Sequence, residues 1–512
     1  MFAPVTARRW KGLWLGLGAV AVILSACSST PSHTATRVRT STLTVAETTA
    51  PTTLDPQASP LFANRYAWDL AYQCLLTTTA SGSFAPELAT SYQESPSGLQ
   101  YTFSLRHGVQ FQNGETFTSA DVVYTFHRLM TIGTPEARNL FTGLTSVTAL
   151  GSYSVRFTFS SPSRGFIGNM ANPLVFGCAI LSKRAGSSTL ATHMVGTGPW
   201  EQVAYTPDSS LTMRRFAGYW GSKTGATNLD ILYVPTPSTQ VSDLEAGKVN
   251  LMFPTQAGAA SLKGVKGVHV AQVSSAVTVF LDINNLRAPF NNVDVRRAVA
   301  LAVNRSALAT VAYQGAATAS GYVPPTYSWS APVTSLPYST QNVAEAKALL
   351  AAGGYPHGLT TSLIYIPNYD PGTNALVELL ASQLGSVGIH VTLNPLPTAA
   401  WVQANNTDQN YTLSWNEQSY YSNPLEYVNV PGYRQGPVPP ALATLFHSAN
   451  SSTTTSALYA DINAIQKEEA SLVYPTITLL ALKIDVAYSS NLANVSVGPS
   501  LSRNFLASVE VR

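Results

Sequence analysis

Between Leu99 and Met130 the chain changes periodicity. Leu99, Tyr101, Phe103 and Leu105 alternate with Gln100, Thr102, Ser104 and Arg106, the pattern of a strand with one buried face. His107-Gly108 permits a turn, and Val109 and Phe111 resume the alternation. Asn113-Gly114 is a strong turn dipeptide, because both residues tolerate positive φ. Thr118 stands three before Asp121, the spacing of a capping box. Val122, Val123, Phe126, Leu129 and Met130 then follow at helical spacing. The stretch predicts a hairpin leading into a capped amphipathic helix.

The same reading extends along the chain. Strands are predicted over 41–47, 154–159, 210–215, 230–234, 249–253, 277–283, 360–366, 388–393 and 475–480. Helical spacing marks 64–76, 240–247, 293–303, 342–350, 375–384 and 458–468. Asn342 and Glu345 form a capping pair, and Gly353-Gly354 lies beyond that helix. Two glycines and a proline in Gly196-Thr197-Gly198-Pro199-Trp200 predict a tight turn that few other residues could follow. The strand–helix–strand order over 360–393 points to an α/β lobe.

The N-terminus has a different pattern. Arg8, Arg9 and Lys11 precede an uncharged apolar run, Gly12 to Leu24, too short to span a bilayer as a mature helix. Leu24-Ser25-Ala26-Cys27 follows at once. This predicts a lipoprotein signal peptide over 1–26, with Cys27 as the lipidated residue; a plain secretory signal or a signal anchor is the alternative. The Ser- and Thr-rich stretch 27–40 reads as a flexible tether.

Composition removes several function classes. The 512 residues carry a net charge of +3 with 11% charged side chains, which argues against nucleic-acid binding. Besides Cys27 there are only Cys74 and Cys178, without the clustered spacing of a metal site. Both sit in apolar contexts and read as buried thiols rather than as a disulfide, though the pairing stays open. The eight His residues are scattered. There is no Gly-x-Ser-x-Gly, His-Glu-x-x-His or phosphate loop, so the chain is not expected to be an enzyme.

Three stretches carry a family resemblance. The first is Pro86-Glu87-Leu88-Ala89 with Tyr101 to Arg106, Asn113-Gly114 and Ala120 to Val123; the second is Gly196 to Trp200 with Gly218 to Gly221. The third runs from Val277 through Asn284, Pro289-Phe290 and Val293 to Ala298. Together they resemble the bacterial extracellular solute-binding proteins of family 5, peptide and nickel receptors of ABC importers. The resemblance implies a periplasmic-binding-protein-like α/β fold of class II/cluster C type, with two lobes and a hinge. Lobe I would comprise 41–60, 181–275 and 476–512, with an extra α+β subdomain over 61–180. Lobe II would comprise 276–475.

The resemblance further implies a monomeric receptor that needs no cofactor or metal. It would capture a small solute, by default a peptide, and deliver it to a permease and ATPase complex. A sensor of the same fold without transport, or a receptor for a sugar or metal chelate, is the alternative. In peptide-binding relatives a Trp is followed by an Asp that holds the ligand's α-ammonium. Trp415 matches the Trp, but the Asp position falls on Gln418 or Tyr420, depending on the direction of counting. Glu417 is the nearest carboxylate and is expected to substitute, unless it is a solvated loop residue. Tyr420 and Tyr421 are expected to stack on the ligand or pack the loop. Asn64, Tyr66, Asn368, Tyr369 and Trp401 are further candidates.

Overall fold

Two long antiparallel strands, Val268–Ile283 and Thr476–Ser489, run side by side through the middle of the molecule. The structure, a computed structural model, describes residues 41–59, 62–78, 84–134, 137–138, 140–161, 163, 166–171, 178–186, 188–419, 438–452, 454–498 and 501–512. Cys27, the leader and the tether lie outside the described residues, as do Tyr420 and Tyr421.

One mixed sheet extends to both sides of the long pair. On one side lie Leu413–Ser419, Leu359–Tyr365 and Ile389–Pro395; on the other lie Leu251–Met252, Thr42–Glu47, Asn228–Tyr233, Ser210–Arg215 and Trp200–Thr206. Each side has its own apolar core. One core gathers Leu43, Trp68, Trp200, Leu229 and Leu251, and the other Leu281, Val299, Leu363, Leu380 and Trp415. The protein is therefore a two-lobed α/β structure whose lobes share a strand pair.

The sequence reading saw only the ends of that pair, 277–283 and 475–480. Lys483 and Asp485 interrupt the apolar run, yet the ladder continues through both. Its register shifts between Ser274 and Thr278. There the buried Ser275 hydroxyl donates to the Leu482 carbonyl at 2.7 Å and accepts from the Val277 N–H at 3.2 Å, replacing ladder bonds.

In the stretch 99–130 the first strand and the capped helix form as periodicity predicts, but the hairpin across His107-Gly108 does not, since the chain after it makes only a single bridge, Gln110 to Thr116, around Asn113-Gly114. Gln100–Leu105 belongs to a four-stranded antiparallel sheet with Ala89–Glu94, Ser154–Phe159 and Leu144–Gly151. Helix Ser119–Ile132 packs Val122, Phe126 and Leu129 against it, and Asp121 Oδ2 accepts from the Thr118 N–H at 2.9 Å. Cys74 and Cys178 are bonded as a disulfide, which corrects the expectation of buried thiols. Their apolar surroundings suit either state, so local sequence could not decide between them.

Two further expectations change. The predicted helix over 64–76 stops at Trp68, because the following backbone is engaged elsewhere: the Leu70 and Ala71 carbonyls accept from the Trp200 and Gly198 N–H groups. For the same reason Gly196 and Gly198 are not there for an unusual φ. Neither has a positive φ. A Cβ on Gly196 would lie 1.9 Å from the Ala71 carbonyl oxygen, so the glycine permits close backbone approach.

Gly196→Ala should therefore destabilise the fold by at least about 1–3 kcal/mol, since the obstacle is backbone that cannot swing away. Gly385→Ala, in helix Thr373–Ser386 with nothing within 4 Å of the added methyl, should be neutral or stabilise by up to about 1 kcal/mol. Urea midpoints of the two variants check the contrast.

Candidate functional site

The register shift in the long pair opens onto a cavity of about 260 Å³. Pro254, Thr255 and Gln256 line it from one lobe, with Tyr66 on helix Phe62–Trp68 and Leu501 near the C-terminus. Tyr313, Tyr369, Asp370 and Glu417 line it from the other, and Leu482 to Asp485 form part of its floor. A pocket walled by both lobes, mostly apolar and with a few placed polar groups, has the makeup of a small-molecule site.

Each polar group is held by its element. Glu417 lies on the strand Leu413–Ser419, paired with Val279 of the long strand. Trp415 on the same strand is 2% exposed and meets Tyr369 edge-on, with ring centroids 5.2 Å apart. Tyr369 itself is 47% exposed, so Trp415 supports an aromatic ring that solvent can reach. Asp370 occupies the turn before helix Thr373–Ser386. Its Oδ1 accepts from the Gly372 N–H at 2.7 Å and the Thr373 hydroxyl at 2.8 Å, and its Oδ2 from the Tyr313 hydroxyl at 2.8 Å.

The site is acidic and short of counter-charge. Glu417 Oε2 is enclosed and has no hydrogen-bond partner among the described residues. Burial raises the Glu417 carboxyl well above its usual value, and Asp370, within hydrogen-bonding reach, adds to the rise. Burial and the same two carboxylates push the Tyr369 hydroxyl up to about 12 and the Tyr313 hydroxyl further. Lys483 lines the cavity and has no ion-pair partner among the described residues. Tyr66 stacks on Arg503, whose guanidinium lies 3.8 Å from its ring and pairs with Glu47 at 2.7 Å.

Residues 83–436 match the family described as Bacterial extracellular solute-binding proteins, family 5 Middle. The chain belongs to this family. Glutathione-binding protein GsiB of Escherichia coli O1:K1 / APEC is 30% identical over 344 residues, covering 66% of each chain. The Shigella dysenteriae protein of that name is 27% identical over 479 residues, 89% of this chain and 91% of the relative. Among solved structures, the periplasmic binding protein DppA from Helicobacter pylori, in complex with peptide STSA, superposes with a TM-score of 0.78. It is 22% identical, and the match covers 92% of this chain and 98% of that one.

The candidates from sequence divide clearly in this family 5 protein. Tyr66, Tyr369 and Glu417 come together at the cavity, with Trp415 behind them. Asn64 is 2% exposed, and its Oδ1 accepts from the Thr52 N–H at 2.7 Å, tying down a loop. Trp401 is buried, with its indole N–H given to Ser414 Oγ at 3.1 Å. Asn368 adopts a φ of 55° and bonds to Asn374. None of these three lines the cavity. Sequence reasoning missed Asp370 and Tyr313. Asp370-Pro371-Gly372 could have been read as a turn, but nothing local says that the turn faces Glu417.

A carboxyl whose proton affinity rises on folding holds its proton in the folded state after the unfolded chain has lost it. Its contribution to stability is full below the ordinary glutamate value of 4.5 and falls as pH rises above it. Glu417→Gln should thus melt with wild type at about pH 4 and above wild type at about pH 8. Calorimetric melting across that range checks the sign.

Proposed function

We propose that the protein is an extracytoplasmic receptor that binds a small peptide-class solute between its lobes and delivers it to an ABC permease and its ATPase. The cavity carries this reading: two carboxyls, a lysine and aromatic walls meet where the two lobes adjoin. A peptide presents an ammonium, amide bonds and a carboxylate. Its ammonium suits Asp370 and Glu417, its carboxylate suits Lys483, and Tyr369 over Trp415 offers an aromatic surface. The named relatives support the class, one being called glutathione-binding and another having been solved with a tetrapeptide. Glu417 takes the role of the amine-holding acid that the matching Asp position lacks. The second carboxyl, Asp370, beside Glu417 argues for a ligand chosen by its amino end.

The lobes of this receptor are proposed to divide as 41–60, 181–275 and 476–512 against 276–475, with 61–180 as a subdomain of the first. Two cores support most of that division, since Leu43, Leu229 and Leu506 share one and Leu281, Leu363 and Leu413 another, while Ile477, Leu479, Leu480 and Leu482 of the shared strand pack with the second. Anchoring is proposed through lipid on Cys27. Among the described residues no helix is long and apolar enough to cross a membrane.

Titration calorimetry with glutathione and with Ser-Thr-Ser-Ala tests the binding role. Free-amine peptides should bind, and their N-acetylated forms should bind at least about tenfold more weakly, about 1.4 kcal/mol. Tyr369→Ala should weaken both forms while leaving the melting temperature nearly unchanged, because the ring is half exposed. Equal affinity for free and acetylated peptides would remove the amine-selective role. The anchor is tested separately: Cys27→Ala should leave the protein unprocessed or released from membranes, and fractionation identical to wild type would refute it.

A further inference from the structure

Asp370 and Glu417 enter the cavity from different elements and lie within hydrogen-bonding reach of one another. Two carboxyls can share a hydrogen bond only if one of them carries a proton. Their surroundings differ enough to say which. Asp370 accepts from Tyr313, Gly372 and Thr373, and a carboxylate supplied with donors is favoured in its charged form. The enclosed Oε2 of Glu417 has no donor among the described residues. Ionised, it would be an unpaired charge in a closed space beside another negative group, which is strongly unfavourable.

We infer that the two carboxyls act as a single cation-binding pair, in which Asp370 keeps the negative charge and Glu417 carries a proton that an entering ammonium displaces. This rests on the reading of the cavity as an amine-binding site. The displaced proton leaves to solvent. In the empty cavity the pair holds one proton and one negative charge. In the loaded cavity it holds one ammonium between two carboxylates. One unit of positive charge replaces another, so the net buried charge does not change on binding.

The other groups around the pair are consistent with that exchange. Tyr66 on helix Phe62–Trp68, Tyr313 on helix Arg305–Tyr313 and Tyr369 in the adjoining loop are neutral phenols. Lys483 and Asp485 lie on the long strand Thr476–Ser489. Asp370 is the charge that acts on Glu417, and among the described residues no cationic side chain contributes to its electrostatics. Asp370 is then a specificity-determining residue. A ligand with a neutral head has nothing to exchange for the proton and leaves it in place.

Proton release read by calorimetry tests the pair, using glutathione and Ser-Thr-Ser-Ala in buffers of unlike ionisation enthalpy. Wild type should release close to one proton per ligand near neutral pH, and its affinity should rise with pH. Glu417→Gln should still bind, with no dependence on buffer and a flatter pH profile. Asp370→Asn should lose at least about tenfold in affinity at every pH, because the lasting charge is gone. Binding by wild type without proton release, or equal release by Glu417→Gln, overturns the inference and leaves the receptor reading intact. If neither peptide binds, the receptor reading for these ligands fails, and infrared spectroscopy of the empty protein decides the pair. Burial also raises the carboxyls of Glu87 and Asp282, so the readout is the difference between wild type and Glu417→Gln at neutral pH, which should contain the carbonyl stretch of one neutral carboxyl. A difference spectrum without that stretch overturns the inference.

Discussion

The constraint on which the structure depends is the ladder between Val268–Ile283 and Thr476–Ser489. It belongs to both lobes, and the remaining strands of the large sheet attach to one side of it or the other. A continuous flat ladder would make one rigid slab. The shift between Ser274 and Thr278 breaks it, and the Ser275 hydroxyl supplies bonds that the backbone no longer makes. A buried hydroxyl does this at little cost because it both donates and accepts. The cavity opens at this break, so the irregularity that interrupts the ladder also leaves space between the elements on either side of it.

Where a segment's environment is set by its own neighbours, the sequence made it legible. Gln100–Leu105 and Ser119–Ile132 pack against near elements, and periodicity plus a capping pair was enough. Where distant chain decides, periodicity failed. The helix starting at Phe62 ends at Trp68 because Gly198 and Trp200, far along the chain, take the next carbonyls. The long strands were read too short because Lys483 and Asp485 look like surface residues locally, although they border the cavity. Glycines 196 and 198 were noticed for the right motif and the wrong reason. Their role is close approach to Ala71, and spacing alone cannot separate that from turn geometry.

The site divides in the same way. Trp415 and Glu417 were found through a family pattern, and Tyr66 and Tyr369 through their place at element starts and loops. Asp370 was missed because its partner is on another element 47 positions away in sequence, and the contact exists only in three dimensions. Asn64, Trp401 and Asn368 have polar atoms that bind their own lobe. A loop position with a polar side chain is common ground for ligand contact and for loop bracing, and only the partner tells them apart.

Charge treatment elsewhere in the molecule shows why the carboxyl pair stands out. Several buried charges elsewhere are paired or capped. Asp55 is joined to Arg128, and Glu47 to Arg503 between the rings of Tyr66 and Phe253. Arg296 and Arg305, without carboxylate partners among the described residues, give their N–H groups to backbone carbonyls of Leu472, Phe290, Thr478 and Ser339. A protein that solves buried charge in these ways has the means to place a cation beside Glu417. It places Asp370 there instead, and braces Asp370 with three donors so that it stays. Such an arrangement opposes the stability of the empty protein and is relieved by a cation from outside. Free energy withheld in this way from the folded state becomes available to binding, which ties the acidity of the cavity to its use.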